Sequence, residues 1–236
     1  MARHYIHFAK EAIIQVLLNG FEAFVVKHNN KKRHAIEMHA SLYGHAEQTS
    51  STWHHYIKFI SVDTSAEMEA GQVTRKGEAT SLKASISNAA GYAMLGAIHT
   101  HPYLSSEMSL AEVRKYGAHF SDGDLESFDG DFEDAEYLGR PYAIQAVLTI
   151  RNKDDELERQ KTVKDGFLEN NIYEFSLANC KCFLTAQVFS KEGGSALVFE
   201  ETILKCDFLQ CFEYLGKDFG KVGIADGRQR IVEHRP

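Results

Sequence analysis

Two histidines spaced two residues apart, His99 and His101, are the residues whose types and spacing most directly indicate chemistry. They follow a short apolar run, Tyr-Ala-Met-Leu-Gly-Ala-Ile, which is typical of a buried strand, and Pro102 comes directly after them. Side chains two residues apart on a strand point to the same face, so both imidazoles can reach one metal ion. Proline cannot donate a ladder hydrogen bond, and we expect Pro102 to end the strand.

A catalytic zinc ion commonly takes three protein ligands and leaves its fourth position to water, so a third ligand is needed. Asp124 is the candidate, because it lies in the first turn of a predicted helix that follows a polar loop. Ser121, three residues earlier, can cap that helix and direct its hydroxyl into the site. Nineteen residues lie between His101 and Ser121, and within this long segment Asp122 and His119 are alternative third ligands.

An acid–base residue is expected on a separate buried element. Residues 35–44 are mostly apolar and contain one carboxylate, Glu37, with no cation next to it in sequence. A buried carboxylate needs a partner or a function, which makes Glu37 the candidate proton carrier. The alternative is a carboxylate paired with Lys31, Lys32 or Arg33.

These motifs together resemble those of the JAMM (JAB/MPN) metalloprotease family. That family has a distant Glu, then His-x-His-Pro, then Ser-x-x-Asp, and its Glu begins a Glu-x-x-Gly-x-x-x-Gly segment. In this sequence Glu37, Ala40 and Gly44 occupy the three positions of that segment, with Ala in place of the first Gly. The segment between His-x-His-Pro and Ser-x-x-Asp is longer than the family usually has, and we expect this insertion, residues 103–120, at the rim of the site.

The resemblance implies a zinc-dependent isopeptidase with one Zn²⁺ per chain and a bound water. In that family the metal ligands would be His99, His101 and Asp124, with Glu37 as the general acid–base and Ser121 as the oxyanion donor. The bond cleaved would be an amide after the C-terminus of a ubiquitin-like protein, in deconjugation or precursor processing. A prokaryotic member would act beside ubiquitin-like proteins and possibly E1- or E2-like conjugation enzymes.

The resemblance also implies a fold: an α/β domain with a single MPN/JAB-like (cytidine-deaminase-like) mixed sheet flanked by helices. We place this catalytic domain at residues 1–152, with a β-rich C-terminal extension at 153–236 packed on the same domain. Apolar spacing predicts a helix over residues 6–19 that stops at Gly20, and a buried strand over residues 142–150.

Composition limits the partners and the compartment. A net charge of −7 and a pI of about 5.9, without a basic stripe, exclude nucleic acid as the expected partner. No apolar run is long enough to cross a membrane, and Lys10 and Glu11 interrupt any signal-peptide core, so a cytoplasmic protein is expected. The four cysteines, all in the last third, are expected to be reduced core residues, with a zinc site as the alternative.

Two other functions remain open at this stage. One is a metallopeptidase of the same family that acts on another extended peptide. The other is a non-catalytic scaffold of the same type that only binds a protein, although a scaffold has no physical need for all five site residues. A role linked to DNA is disfavoured by the acidic charge.

Overall fold

The strand from Tyr142 to Asn152 is buried along its whole length and lies in the interior of the largest sheet, as seen in a computed structural model of the protein. Burial on both faces explains why this strand lacks alternating polar residues. The structure describes residues 2–25, 35–64, 67–68, 73–74, 77–137, 142–153, 165–192, 196–211, 221–223 and 232–233.

Ten strands in the described ranges share that sheet. They are β1 (Arg3–Phe8), β2 (His39–Gln48), β3 (Thr52–Val62), β6 (Ala93–Tyr103), β7 (Tyr142–Asn152), β8 (Gly166–Glu169), β9 (Ile172–Leu177), β10 (Cys180–Glu192), β11 (Ala196–Phe199) and β12 (Thr202–Lys205). Two short pairs lie outside it: β4 (Glu67–Met68) with β5 (Val73–Thr74), and β13 (Lys221–Val222) with β14 (Val232–Glu233).

Five α-helices lie in the described part of the chain. They are α1 (Lys10–Val25), α2 (Gly77–Ala89), α3 (Leu110–Glu112), α4 (Asp122–Tyr137) and α5 (Asp207–Gln210), and α3 runs directly into a π-helical turn over Val113–Gly117. None of these described helices combines the length and the apolar character that crossing a membrane requires.

The expectation of a single sheet flanked by helices is wrong. Strand accounts for 48% of the structure against 31% for helix, and the sheet is a large curled half-barrel of mixed direction. Nine strands follow the order β12-β1-β3-β2-β6-β7-β10-β9-β8, and β11 pairs with β10. The right-handed twist between neighbouring strands accumulates over so many strands, and the sheet curls as a result.

The C-terminal strands are part of this sheet. The long strand β10 pairs antiparallel with β7 from Cys180 to Ser190, and β12 pairs parallel with β1 at the opposite end of the strand order. Apolar and alternating patterns predict that strands exist but carry no information on which strands pair, so the sequence predicts a β-rich C-terminal segment without its position in the sheet. Cys180, Cys182 and Cys206 are buried free thiols in the core, as the sequence predicts, whereas Cys211 is a free thiol exposed to solvent.

The N-terminal helix covers one face of the sheet and begins later than predicted. Residues Arg3–Phe8 form a strand with alternating burial, and α1 then continues through Gly20 to Val25. Gly20 does not end the helix, because its role is close packing: a Cβ there would lie 3.0 Å from Leu148 and 3.2 Å from Thr100. The other face of the sheet carries α2, α4 and the candidate site.

Gly96 allows β6 to lie against β7 three residues before the histidine pair. Its φ is +154°, and a Cβ there would overlap the backbone carbonyl of Ile144. We expect Gly96→Ala to lower the free energy of unfolding by about 1–3 kcal/mol, measured by urea denaturation. Gly77→Ala is the control, because a Cβ there meets nothing within 4 Å; equal stability of the two variants would contradict the packing role of Gly96.

Candidate metal centre

Strand β6 presents the two histidines on one face, as their spacing predicts. Ile98, directly before His99, packs in the main hydrophobic core. His99 and His101 point to the opposite side of the strand, where their Nε2 atoms lie 3.0 Å apart. Both side chains are nearly inaccessible to solvent, at 8% and 5% exposure. The expectation that Pro102 ends the strand is wrong, because β6 continues to Tyr103 through its pairing with β7. The pairing of β6 with β2 ends at His99, so the lack of an N–H on Pro102 removes no hydrogen bond between these two strands.

Helix α4 brings Asp124 to the two histidines. Its Oδ1 lies 3.1 Å from His99 Nε2 and its Oδ2 lies 3.2 Å from His101 Nε2. The N-terminus of the helix holds this carboxylate in place: the backbone N–H of Ser121 donates to Asp124 Oδ2 at 2.6 Å, and the N–H of Asp124 donates to Ser121 Oγ at 3.2 Å. This reciprocal capping orients the carboxylate before any ligand arrives.

The two alternative third ligands lie elsewhere. Asp122, at the first position of α4, is exposed, and His119 Nε2 lies 3.9 Å from a carboxylate oxygen of Glu169. Among the residues that the structure describes, the group of potential ligands consists of His99, His101 and Asp124. The Ser-x-x-Asp spacing therefore identified the residue that the structure places beside the histidines.

No placement of hydrogens satisfies all the polar contacts among His99, His101 and Asp124. Each Nε2 has one in-plane hydrogen or one lone pair, yet it faces the other Nε2 and a carboxylate oxygen at the same time. If both nitrogens carry hydrogen, the hydrogens oppose each other; if one is bare, its lone pair faces the carboxylate. Ligand atoms around one tetrahedral zinc ion lie roughly 3.3–3.5 Å apart, given bonds of about 2.0–2.2 Å. Here the two Nε2 atoms lie 3.0 Å apart, and each of them faces a different oxygen of Asp124, at 3.1 and 3.2 Å. The three residues can hold a metal ion.

The electrostatics of the cluster favour a bound cation. Burial lowers the pKa of His99 below its usual value, so this imidazole is neutral and has a lone pair to donate. Burial also disfavours charge on His101, but the hydrogen bond and charge of Asp124, the charge of Glu37 and the Gly117 carbonyl together raise the pKa of that imidazole. Burial opposes charge on Asp124, yet the bonds from His101 and His99 lower its pKa, so the carboxylate is ionised. An anion and a neutral imidazole are suitable ligands for a divalent metal.

Glu37 lies beside this cluster without belonging to the ligand group. His39 pairs with His99 across β2 and β6, and the backbone N–H of Thr100 donates to Met38 O, so continuing the register places Glu37 opposite His101. These are non-hydrogen-bonded pairs, in which facing side chains lie closest together. Burial, partly offset by His101, raises the pKa of Glu37 to about 7. A carboxylate that titrates near neutrality can carry a proton in either direction.

The paired-carboxylate alternative for Glu37 finds no support in the described chain. Lys31, Lys32 and Arg33 lie outside the described residues, and no ion pair joins Glu37 to a cation that the structure describes. Ser121 is exposed at the N-terminus of α4, next to Asp124. Because its Oγ accepts the Asp124 N–H, its own hydroxyl hydrogen is directed away from the helix as a donor.

Sequence reasoning missed two groups beside the ligands. His39 Nδ1 lies 2.7 Å from Asp63 Oδ2, and Lys83 Nζ donates to the other Asp63 oxygen at 2.7 Å. Because His39 pairs with His99 across β2 and β6, these three polar residues form a network next to the ligand group. Tyr103 follows His101 on the same face, with ring centroids 6.2 Å apart. The spacing Glu37-x-His39 and His101-x-Tyr103 repeats the i, i+2 rule that identified the histidine pair, and it could have indicated both groups.

Comparisons with known proteins do not place the chain in a family. No protein-family model matches it, and no curated protein is detectably similar to it in sequence. Among solved structures, it is similar to the solution structure of protein DSY2949 from Desulfitobacterium hafniense. The two share 13% sequence identity with a TM-score of 0.44, over 85% of this chain and 92% of that chain. A likeness of this degree carries no inference about function.

Proposed function

We propose that this protein is a zinc-dependent isopeptidase with JAMM-type chemistry, which cleaves an amide bond after the C-terminus of a ubiquitin-like protein. The observation that carries the proposal is the convergence of His99, His101 and Asp124, whose ligand atoms all lie within 4.8 Å of one another, with Glu37 on the same face of the sheet. Resemblance of the sequence motifs supports the choice of reaction and substrate class.

Zinc is the proposed metal because two imidazoles and one carboxylate form a common ligand set of catalytic zinc sites. Bound by His99, His101 and Asp124, it would supply Lewis acidity that polarises the scissile carbonyl and acidifies a water molecule. The rest of the chemistry belongs to the protein. Glu37 accepts a proton as water attacks the carbonyl carbon, and it then delivers that proton to the departing amine nitrogen, a role worth about 10²–10⁴-fold in rate.

Ser121 is the proposed donor to the carbonyl oxygen as negative charge develops on it. A hydroxyl held at a helix N-terminus is pre-organised for this role, because its oxygen is already fixed by the Asp124 N–H. The neighbouring backbone N–H groups of α4 add a positive potential at the same place. Three buried free thiols support a reducing, cytoplasmic compartment as part of the proposal.

Cleavage of ubiquitin-like fusions, with and without a chelator, tests this function. Purified protein is incubated with a panel of ubiquitin-like proteins that carry an amide-linked C-terminal reporter, and the released reporter is quantified. We expect cleavage after the C-terminal residue that a chelator abolishes and added Zn²⁺ restores. Binding without cleavage would support the scaffold alternative, and cleavage of unrelated extended peptides alone would replace the ubiquitin-like substrate by a general peptide.

A further inference from the structure

The segment between the histidine pair and Asp124 contributes a group to the metal centre. His101 Nδ1 lies 3.4 Å from the carbonyl oxygen of Gly117, the last residue of the π-helical turn. Thr149 Oγ1, on β7, donates to the same oxygen at 2.8 Å. A carbonyl that accepts from Nδ1–H fixes the ring and leaves Nε2 unprotonated toward an ion, which is how outer partners orient ligating histidines.

The position of this carbonyl depends on how the turn is held. Val113 and Ala118 at its two ends pack with Ile172 and Phe183 on β9 and β10, and a Cβ at Gly117 would come within 2.7 Å of the Tyr103 ring. Apolar contacts of this kind hold the turn near the sheet, but they have no direction and do not fix its rotation. Directional contacts orient the carbonyls at the end of the turn: Thr149 Oγ1 donates to Gly117 O, and Thr185 Oγ1 donates to Ala118 O at 2.6 Å.

Arg114, near the start of the same turn, adds a directional contact with strand β9. Its Nε donates to Glu174 Oε2 at 2.9 Å and a terminal nitrogen donates to Oε1 at 2.6 Å, a bidentate pair with β9. Glu174 is 1% exposed, and behind it Lys181 Nζ lies 2.9 Å from Glu174 and 3.0 Å from Asp165. The planar guanidinium matches the carboxylate in one orientation only, so the pair fixes direction as well as distance.

We propose that Arg114 and Glu174 are positioning residues of the metal centre. Their ion pair holds the π-helical turn so that the Gly117 carbonyl accepts from His101 Nδ1 and directs Nε2 to the metal. Strand β9, more than 70 residues beyond His101 in sequence, thereby contributes to metal affinity. The inference rests on the ligand group and not on the reaction proposed above.

Metal affinity of paired variants tests this role. Affinity for Zn²⁺ and Co²⁺ is measured by competition with a chromophoric chelator, and stability is measured by thermal unfolding of the metal-free protein. We expect Arg114→Met to bind both ions about 10–100-fold more weakly than wild type, the usual cost of losing an outer partner. The visible absorption of the Co²⁺ form should shift as well, because the orientation of His101 changes.

Asp165→Asn is the matched control, because it perturbs the same buried charge network on the side away from the turn. We expect it to lower the unfolding temperature while leaving metal affinity within about 3-fold of wild type. Arg114→Lys, which keeps one charged hydrogen bond, should fall between wild type and Arg114→Met, and it serves as the test if Arg114→Met does not fold. Thr149→Val should also weaken metal binding, because it removes the other donor to the Gly117 carbonyl.

Three outcomes would overturn the inference: unchanged affinity in the Arg114 variants, equal affinity losses in Asp165→Asn and Arg114→Met, or a wild-type protein that binds no metal. The last outcome would also remove the ligand group on which the proposed function depends. A wild-type protein that binds metal but cleaves no ubiquitin-like fusion would refute the proposed function alone. In that case the affinity series still decides the role of Arg114.

Discussion

Replacing Asp124 with Asn should remove most of the metal affinity and leave the fold intact. The amide oxygen can still accept the Ser121 N–H, so the helix N-terminus keeps its capping, but the charge that complements a cation is lost. We expect a loss larger than the roughly 10–100-fold that removal of an outer partner costs. His101→Ala removes a ligand atom altogether and should leave the purified protein without stoichiometric metal, measured by elemental analysis after dialysis.

Asp122→Asn is the matched control for this prediction. Asp122 lies two residues from Asp124 in the same helical turn, is exposed, and stands outside the ligand group. Both variants remove one negative charge from the first turn of α4 and so affect the helix dipole in the same way. Only Asp124→Asn also removes the charge of a ligand. Full metal occupancy in Asp124→Asn together with loss in Asp122→Asn would assign the third ligand to Asp122. Retention of metal in both variants would contradict a site built from this turn.

Replacing Glu37 with Gln should separate metal binding from turnover. The side chain lies outside the ligand group, so we expect one metal ion per chain in the variant. Gln cannot take up or deliver a proton, and turnover on a cleavable fusion should fall by about 10²–10⁴-fold. The quantities to compare are kcat and metal content of the same preparation. Loss of the metal in Glu37→Gln would show that the carboxylate has a structural role.

The control for Glu37 is Glu47→Gln, at the exposed end of β2, the strand that follows Glu37, where the carboxylate lies 3.7 Å from His45. We expect wild-type metal content and turnover in this variant. Undiminished turnover in Glu37→Gln would refute the proton-carrier role while leaving the metal site in place. A parallel decrease in both variants would point to a general effect of charge near strand β2.

Stability of the metal-free protein gives a second measurement on Glu37. Its pKa in the folded state, about 7, lies above the value of 4.5 for an unperturbed Glu, so the folded state binds more protons between these two values. Stability is therefore lost as pH rises from about 4.5 through 7. Glu37→Gln removes this dependence and should be more stable than wild type at neutral pH, as is typical when a buried catalytic charge is removed.

Local patterns were sufficient for the parts of the site that lie within one element. The i, i+2 spacing of His99 and His101 places both on one face of any strand, whatever its neighbours are. The Ser-x-x-Asp spacing is also local, because Ser121 and Asp124 cap one helix end reciprocally. Glu37 was identifiable only as a carboxylate in an apolar stretch. Its position opposite His101 depends on the register between two strands that are 60 residues apart.

The sheet was not predictable in the same way. The strand predicted over residues 142–150 exists, yet the single sheet flanked by helices is wrong, because β10 and β12 join the sheet at positions that no local pattern specifies. Hydrophobic periodicity reports which face of a strand is buried and says nothing about its partner. Pairing depends on contacts between distant segments, so only the assembled chain determines it.

By itself, the sequence determined a histidine pair on one strand face, a capped helix that presents Asp124, and an unusual carboxylate at Glu37. Tertiary structure alone decided that these groups meet, that Asp122 and His119 do not join them, and that the Gly117 carbonyl reaches His101 from a π-helical turn tied to β9. The physical reason is that one ion can be bound only by atoms that lie a few ångströms from one another. Such distances between separate elements come from strand register and buried ion pairs, not from spacing along the chain.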